Sequence, residues 1–122
     1  MERPPAQRFQ DLVAWQKGHQ FVLAVYRMTK SFPREEIYGL TAQFRRAAVS
    51  IPANIAEGFK KRGRLDKARL MNVAQGSLEE CRYYLILSGD LGYADTRSLL
   101  VDIDEVGKLL SSYISAVCHS VR

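Results

Sequence analysis

The chain has 122 residues, enough for one domain with a single modest core, and 47% of them are hydrophobic, which excludes a disordered chain. Its net charge is +5 and its pI about 9.4, a balance that permits an anionic partner such as nucleic acid without establishing one. Two cysteines and two histidines, scattered, supply neither a disulfide framework nor a metal cluster, so no metal and no cofactor are expected.

Met1–Arg8, with Pro4 and Pro5, reads as a flexible leader, and residues 9–122 read as a single helical domain. The leader has no apolar h-region, and the longest apolar run, Phe21 to Tyr26, is too short to span a bilayer. The expectation is a cytoplasmic protein.

The first helix is expected from about Gln10 to Lys30. Leu12, Trp15, His19, Val22 and Tyr26 alternate three and four apart, the seam of helices packed side by side. Phe21, Val25, Met28 and Phe32 form a second seam on roughly the opposite side. A surface helix of a monomeric bundle needs one buried stripe. Two stripes predict that one faces the chain's own bundle and that Phe21, Val25, Met28 and Phe32 face another subunit; a helix set deep in a compact monomer is the alternative. His19 reads as a core residue hydrogen-bonded across the bundle.

Pro33, Glu35 and Glu36 suit a short turn leading into the second helix. That helix, Gly39 to Gly58, carries Leu40, Phe44, Ala47, Ala48, Ile51 and Ile55 on one face. Pro52 should kink it, Ser50 has a carbonyl near the kink to bond, and Gly58 is a plausible stop. A polar stripe of Ser50, Asn54 and Glu57, with Arg45 and Arg46 one turn ahead and Glu80 on the third helix, predicts close helix contact and cross-helix bonds. Arg45 and Arg46 either extend a basic surface or pair with Glu57 or Glu80, and at least one of them reads as structural.

Twelve lysines and arginines face five acids up to Arg64, and six face eight after it. Lys60, Lys61, Arg62, Arg64, Lys67 and Arg69 put six cations within ten residues, opposed by Asp66 alone. They span a loop and the first turn of a helix, a setting that admits phosphate; the alternative is a solvated loop with no ligand. The third helix, about Leu65 to Ser88, buries Leu70, Ala74, Leu78, Cys81 and Leu85, with Gly76 placed for close approach of a neighbour. Gly89 to Tyr93 ends it, Asp95 or Thr96 caps the fourth, and Leu99, Ile103, Val106, Leu110, Tyr113 and Val117 line the fourth. No strand period appears. The fold expected is all-α, an antiparallel up-down-up-down four-helix bundle.

Four separated blocks, Asp11–Gln20, Thr29–Leu40, Gln43–Gly58 and Gly76–Glu80, resemble the family of four-helix proteins encoded in intervening sequences of bacterial 23S ribosomal RNA genes. That family is similar in turn to Avd accessory proteins of diversity-generating retroelements. The resemblance implies a homopentamer, RNA-related partners, a possible reverse transcriptase partner and no established enzymatic activity. The functional expectation is a non-enzymatic, homo-oligomeric, RNA-binding protein that contacts backbone and shape through the basic cluster. The rival expectation is a protein-interaction or assembly module with no nucleic-acid role.

Overall fold

The computed structural model describes residues 5–119. Four helices, α1 (Val13–Thr29), α2 (Leu40–Lys60), α3 (Arg64–Asp90) and α4 (Arg97–His119), pack as α1 on α2, α2 on α3, α3 on α4 and α4 back on α1. Short connections between sequential neighbours make it an antiparallel bundle, and no strand occurs among the described residues. Its core holds Phe44, Ile51, Ile55, Met71, Leu85, Ile103 and Leu110, each fully buried.

The first helix is not continuous. Phe9–Asp11 forms a 3-10 turn, Leu12 is extended, and α1 begins at Val13. Asp11 caps the 3-10 turn: its Oδ2 accepts the backbone N–H groups of Gln7 (3.0 Å) and Arg8 (3.2 Å), which lie ahead of the turn. Residues 1–4 of the expected leader lie outside the described residues.

The two seams of α1 differ in burial. Phe21, Val25 and Phe32 are buried in the chain's own core and Met28 packs against it, so this seam is not the subunit interface expected of it. The physical reason is that α1 has two neighbours, α2 and α4, and this seam fills the space they enclose. The other seam is the more open one. His19 is exposed and stacks on Trp15, with ring centroids 5.0 Å apart and planes 10° apart, rather than bonding across the bundle.

Glu36 organises the upper end. After Pro33 the chain makes a 3-10 turn, Arg34–Glu36, and Glu36 Oε1 accepts the N–H of Leu40 (3.0 Å) at the start of α2. Its Oε2 accepts the hydroxyl of Tyr93 (2.8 Å) from the α3–α4 connection. These two bonds hold the carboxyl below its ordinary range.

Close approach between helices is set by glycines other than Gly76. A Cβ at Gly18 would touch Ile51 Cγ2 (3.6 Å) and Pro52 Cβ (3.8 Å), so Pro52 lies against α1 where α1 is thinnest. A Cβ at Gly58 would overlap Met71 Cε and meet Leu70 Cβ at 3.4 Å. Gly58 is thus an α2–α3 contact rather than a helix stop, and α2 runs on to Lys60. Nothing lies within 4 Å of a Cβ at Gly76, so within the chain no close approach needs that glycine. The stop of α3 is a Schellman motif: Gly92 sits at φ 76°, Gly92 N–H bonds Gly89 O (3.0 Å) and Tyr93 N–H bonds Ser88 O (2.9 Å).

Candidate nucleic-acid interface

The basic cluster forms the corner between α2 and α3. Lys60 ends α2, Lys61 and Gly63 are extended, and Arg64 begins α3. Lys61 N–H closes α2 on Gly58 O (3.2 Å), and Lys67 N–H bonds Gly63 O (3.0 Å). Lys60, Arg62, Arg64 and Arg69 are exposed and Lys61 is half-buried. Among the described residues no ion pair engages any of these five.

Lys67 differs from the other five. Its Nζ donates to Phe59 O (2.7 Å) and Gly58 O (3.1 Å), the last carbonyls of α2, and lies 5.6 Å from the Phe59 ring centroid. A cation on the carbonyl end of a helix is favourable. Partial burial lowers its pKa from the ordinary lysine value. Lys67 therefore ties α3 to the end of α2, whereas Lys60, Arg62, Arg64 and Arg69 are exposed.

The polar stripe divides between helix contacts and surface. Ser77 Oγ donates to Ser50 Oγ (2.7 Å), joining α3 to α2, and Asn54 Nδ2 donates to Ser50 Oγ (3.0 Å) and Ser50 O (2.8 Å). Ser50 thus accepts from its neighbours at Oγ and O. Neither Ser77 nor Asn54 is a general base: the Ser77 bond joins two helices, the Asn54 bonds stay within α2, and none supplies an activated nucleophile. Arg45 Nε donates to Thr29 Oγ1 (2.8 Å), and its guanidinium lies 4.6 Å from the Tyr26 ring centroid, fixing α2 to the end of α1. The expected pairs of Arg45 or Arg46 with Glu57 or Glu80 do not form. Glu80 Oε2 instead accepts the Tyr84 hydroxyl (2.9 Å), which also reaches Gln43 Oε1 at 3.2 Å. Burial, then Glu80, pushes that phenol up to about 12. Arg46 and Glu57 are exposed.

A shallow groove of 340 Å³ runs between α1 and α2, lined almost wholly by apolar atoms of Phe9, Trp15, His19, Val22, Val49, Pro52, Ala53 and Ala56. On α2 the groove is bounded by Val49, Pro52, Ala53 and Ala56, an apolar strip on the outer side that Arg46 separates from Ala42.

A sequence model of the proteins described as 23S rRNA-intervening sequence protein matches residues 10–112. The chain belongs to the 23S rRNA-intervening sequence protein family. The match takes in both the α2–α3 corner and most of the groove. A crystal structure of a protein with unknown function from the S23 ribosomal protein family, from Bacteroides thetaiotaomicron, is similar to this intervening-sequence protein at 28% identity and a TM-score of 0.79. The similarity covers 87% of this chain and 98% of that one. No curated protein matches the sequence.

Two features of this intervening-sequence protein escaped the sequence reading. Leu65, at the head of α3, is 84% exposed in the middle of the basic corner. The signal for it in the sequence is that Leu65 falls outside the Leu70–Leu85 core stripe. The groove was missed because its α2 residues are small. Val49, Ala53 and Ala56 recur four and three apart opposite the core face, with Ala42 two turns before Val49 and Arg46 between them, a short second stripe. Among the described residues no helix is long and apolar enough to cross a membrane, and no group of acids, histidines and cysteines gathers to hold a metal.

Proposed function

We propose that this protein is a non-enzymatic, ribosomal-RNA-associated protein that binds RNA through the α2–α3 corner. The observation that carries the reading is the set of five cations there, Lys60, Lys61, Arg62, Arg64 and Arg69, held on two helix ends and engaged by no acid among the described residues. Membership of a family described by 23S rRNA intervening sequences makes RNA the polyanion of choice. Phosphate contacts release counterions, so affinity should fall linearly with salt on logarithmic axes.

The test is fluorescence anisotropy of a structured RNA at two or more salt concentrations. Wild type is compared with a variant in which Lys60, Lys61, Arg62 and Arg64 are alanine; Lys67 is left intact because it holds the corner together. Loss of binding and a salt slope lower by up to about 3 are expected, at about 0.7 per phosphate on single strands. A folded wild type that binds no RNA at low salt ends this reading.

The apolar α1–α2 groove supports self-association as a second component. A helix apolar on its outer side as well as its inner one is normally covered. The occupant proposed is a second copy of the chain, in the five-subunit ring expected from the family resemblance. A ring repeats the corner on every subunit, so weak sites on one RNA combine through effective concentration. Val49→Asp with Ala53→Glu should reduce the mass in solution to that of one chain while helix content persists. A wild type already monomeric at micromolar concentration refutes it.

A further inference from the structure

Leu65 has no packing role in the chain. It is 84% exposed, whereas Leu70 and Met71, one turn and more along α3, are 5% and 0% exposed and anchor that helix to the core. Arg64 precedes it, Arg62 lies three residues back, and Arg69 lies one turn ahead on the same side of α3. A ligand that presented only phosphates and sugars would gain nothing from a leucine, because those groups stay hydrated. The ligand that suits this corner carries negative charge and an uncovered apolar face side by side. A continuous duplex does not: stacking hides its base faces. An unpaired nucleotide does, and proteins that recognise RNA sequence or structure use such splayed bases.

We propose that the corner recognises RNA where stacking is interrupted, at a bulge, loop or strand end, with Leu65 packed on an exposed base face and the cations on the flanking phosphates. This rests on the RNA-binding reading above and adds the class of RNA to it. Apolar side chains inserted beside a base step are a known way for proteins to engage partly unstacked nucleic acid. An anionic membrane also combines charge with apolar surface, but stable membrane attachment needs more than one exposed leucine. The aromatic ring at the end of α2, Phe59, is half-buried with the ammonium of Lys67 over it, so it adds no second anchor.

The experiment compares three RNAs of equal length, an uninterrupted duplex, the same duplex with a bulge and a single strand, by anisotropy against wild type, Leu65→Ser and Leu65→Tyr. Circular dichroism checks that each variant keeps its helix content. Wild type should prefer the bulged and single-stranded RNAs. Leu65→Ser should lose about tenfold on those two and nothing on the duplex, and Leu65→Tyr should keep or raise the preference, since base–aromatic stacking is favourable. The inference is overturned if Leu65→Ser changes none of the three, or weakens all three equally. A wild type that binds all three RNAs alike overturns it while leaving RNA binding intact; one that binds none removes both. Vesicles of phosphatidylglycerol form the last arm. Vesicle binding lost in Leu65→Ser, without any preference among RNAs, assigns the corner to membrane and overturns the proposal.

Discussion

Replacing Lys67 by methionine separates the cation that builds the corner from those that serve it. Methionine keeps an unbranched stem against Phe59 but removes the charge and both hydrogen bonds to the end of α2. Gly58 O keeps the N–H of Lys61 at 3.2 Å, whereas Phe59 O loses a 2.7 Å bond from a charged donor. Net hydrogen bonds to charged groups stabilise by about 1.5–3 kcal/mol, and water replaces part of this at a half-buried site, so about 1–2 kcal/mol should be lost. For a chain of this size that lowers Tm by about 3–8 °C. Thermal melts at one fixed protein concentration measure it, because an oligomer's Tm depends on concentration. RNA affinity of the folded variant should change less than in Lys60→Ala or Arg64→Ala. An unchanged Tm, together with an affinity loss as large as in those variants, would place Lys67 among the binding cations and refute the argument.

Arg45→Met removes the bond to Thr29 Oγ1 and the contact with Tyr26 and should cost about 1–2 kcal/mol in denaturant melts, while Arg46→Met should stay within about 0.5 kcal/mol. Glu36 has a folded pKa below its unfolded value of about 4.5, so its contribution is present above that value and is lost as pH falls through the folded pKa. Melts from pH 7 to 2 should therefore show a shallower acid limb in Glu36→Gln than in wild type; parallel limbs would remove the effect. In Cys118→Ser protein, burial pushes the Cys81 thiol up to about 12, so labelling by a thiol reagent at pH 8 should follow global unfolding. Rapid labelling of the folded protein would contradict it.

The four helices are legible in the sequence because their apolar spacing is regular and their connections are short. Gly89–Tyr93 announces the end of α3 by composition alone, and the Schellman bonds of Gly92 and Tyr93 show why. Periodicity does not say which of two opposed stripes faces the chain's own core. The spacing alone puts Phe21, Val25 and Phe32 outward and His19 inward, whereas the first three lie in the core and His19 at the surface. That choice depends on where α4 returns beside α1, a contact between residues far apart in the chain. The basic cluster is legible as a run of charge, but the separate use of Lys67 is not. It requires the start of α3 to pass the end of α2 closely, which Gly58 permits. Gly58 and Gly76 look alike in a helical pattern, and only the packing gives one a neighbour and the other none.

The corner also has a mechanical consequence. Only residues 61–63 separate α2 from α3, so Lys60 and Arg64 are attached to the ends of rods rather than to a slack tether. Lys67 and the Gly58 contact brace the two rods against each other. Docking a polyanion there freezes side chains but little backbone, and the entropy lost on association is correspondingly small. The spacing between the backbone attachment points of the charges is then set by the bundle, so any mismatch with a ligand's phosphates is taken up by the side chains or by the ligand.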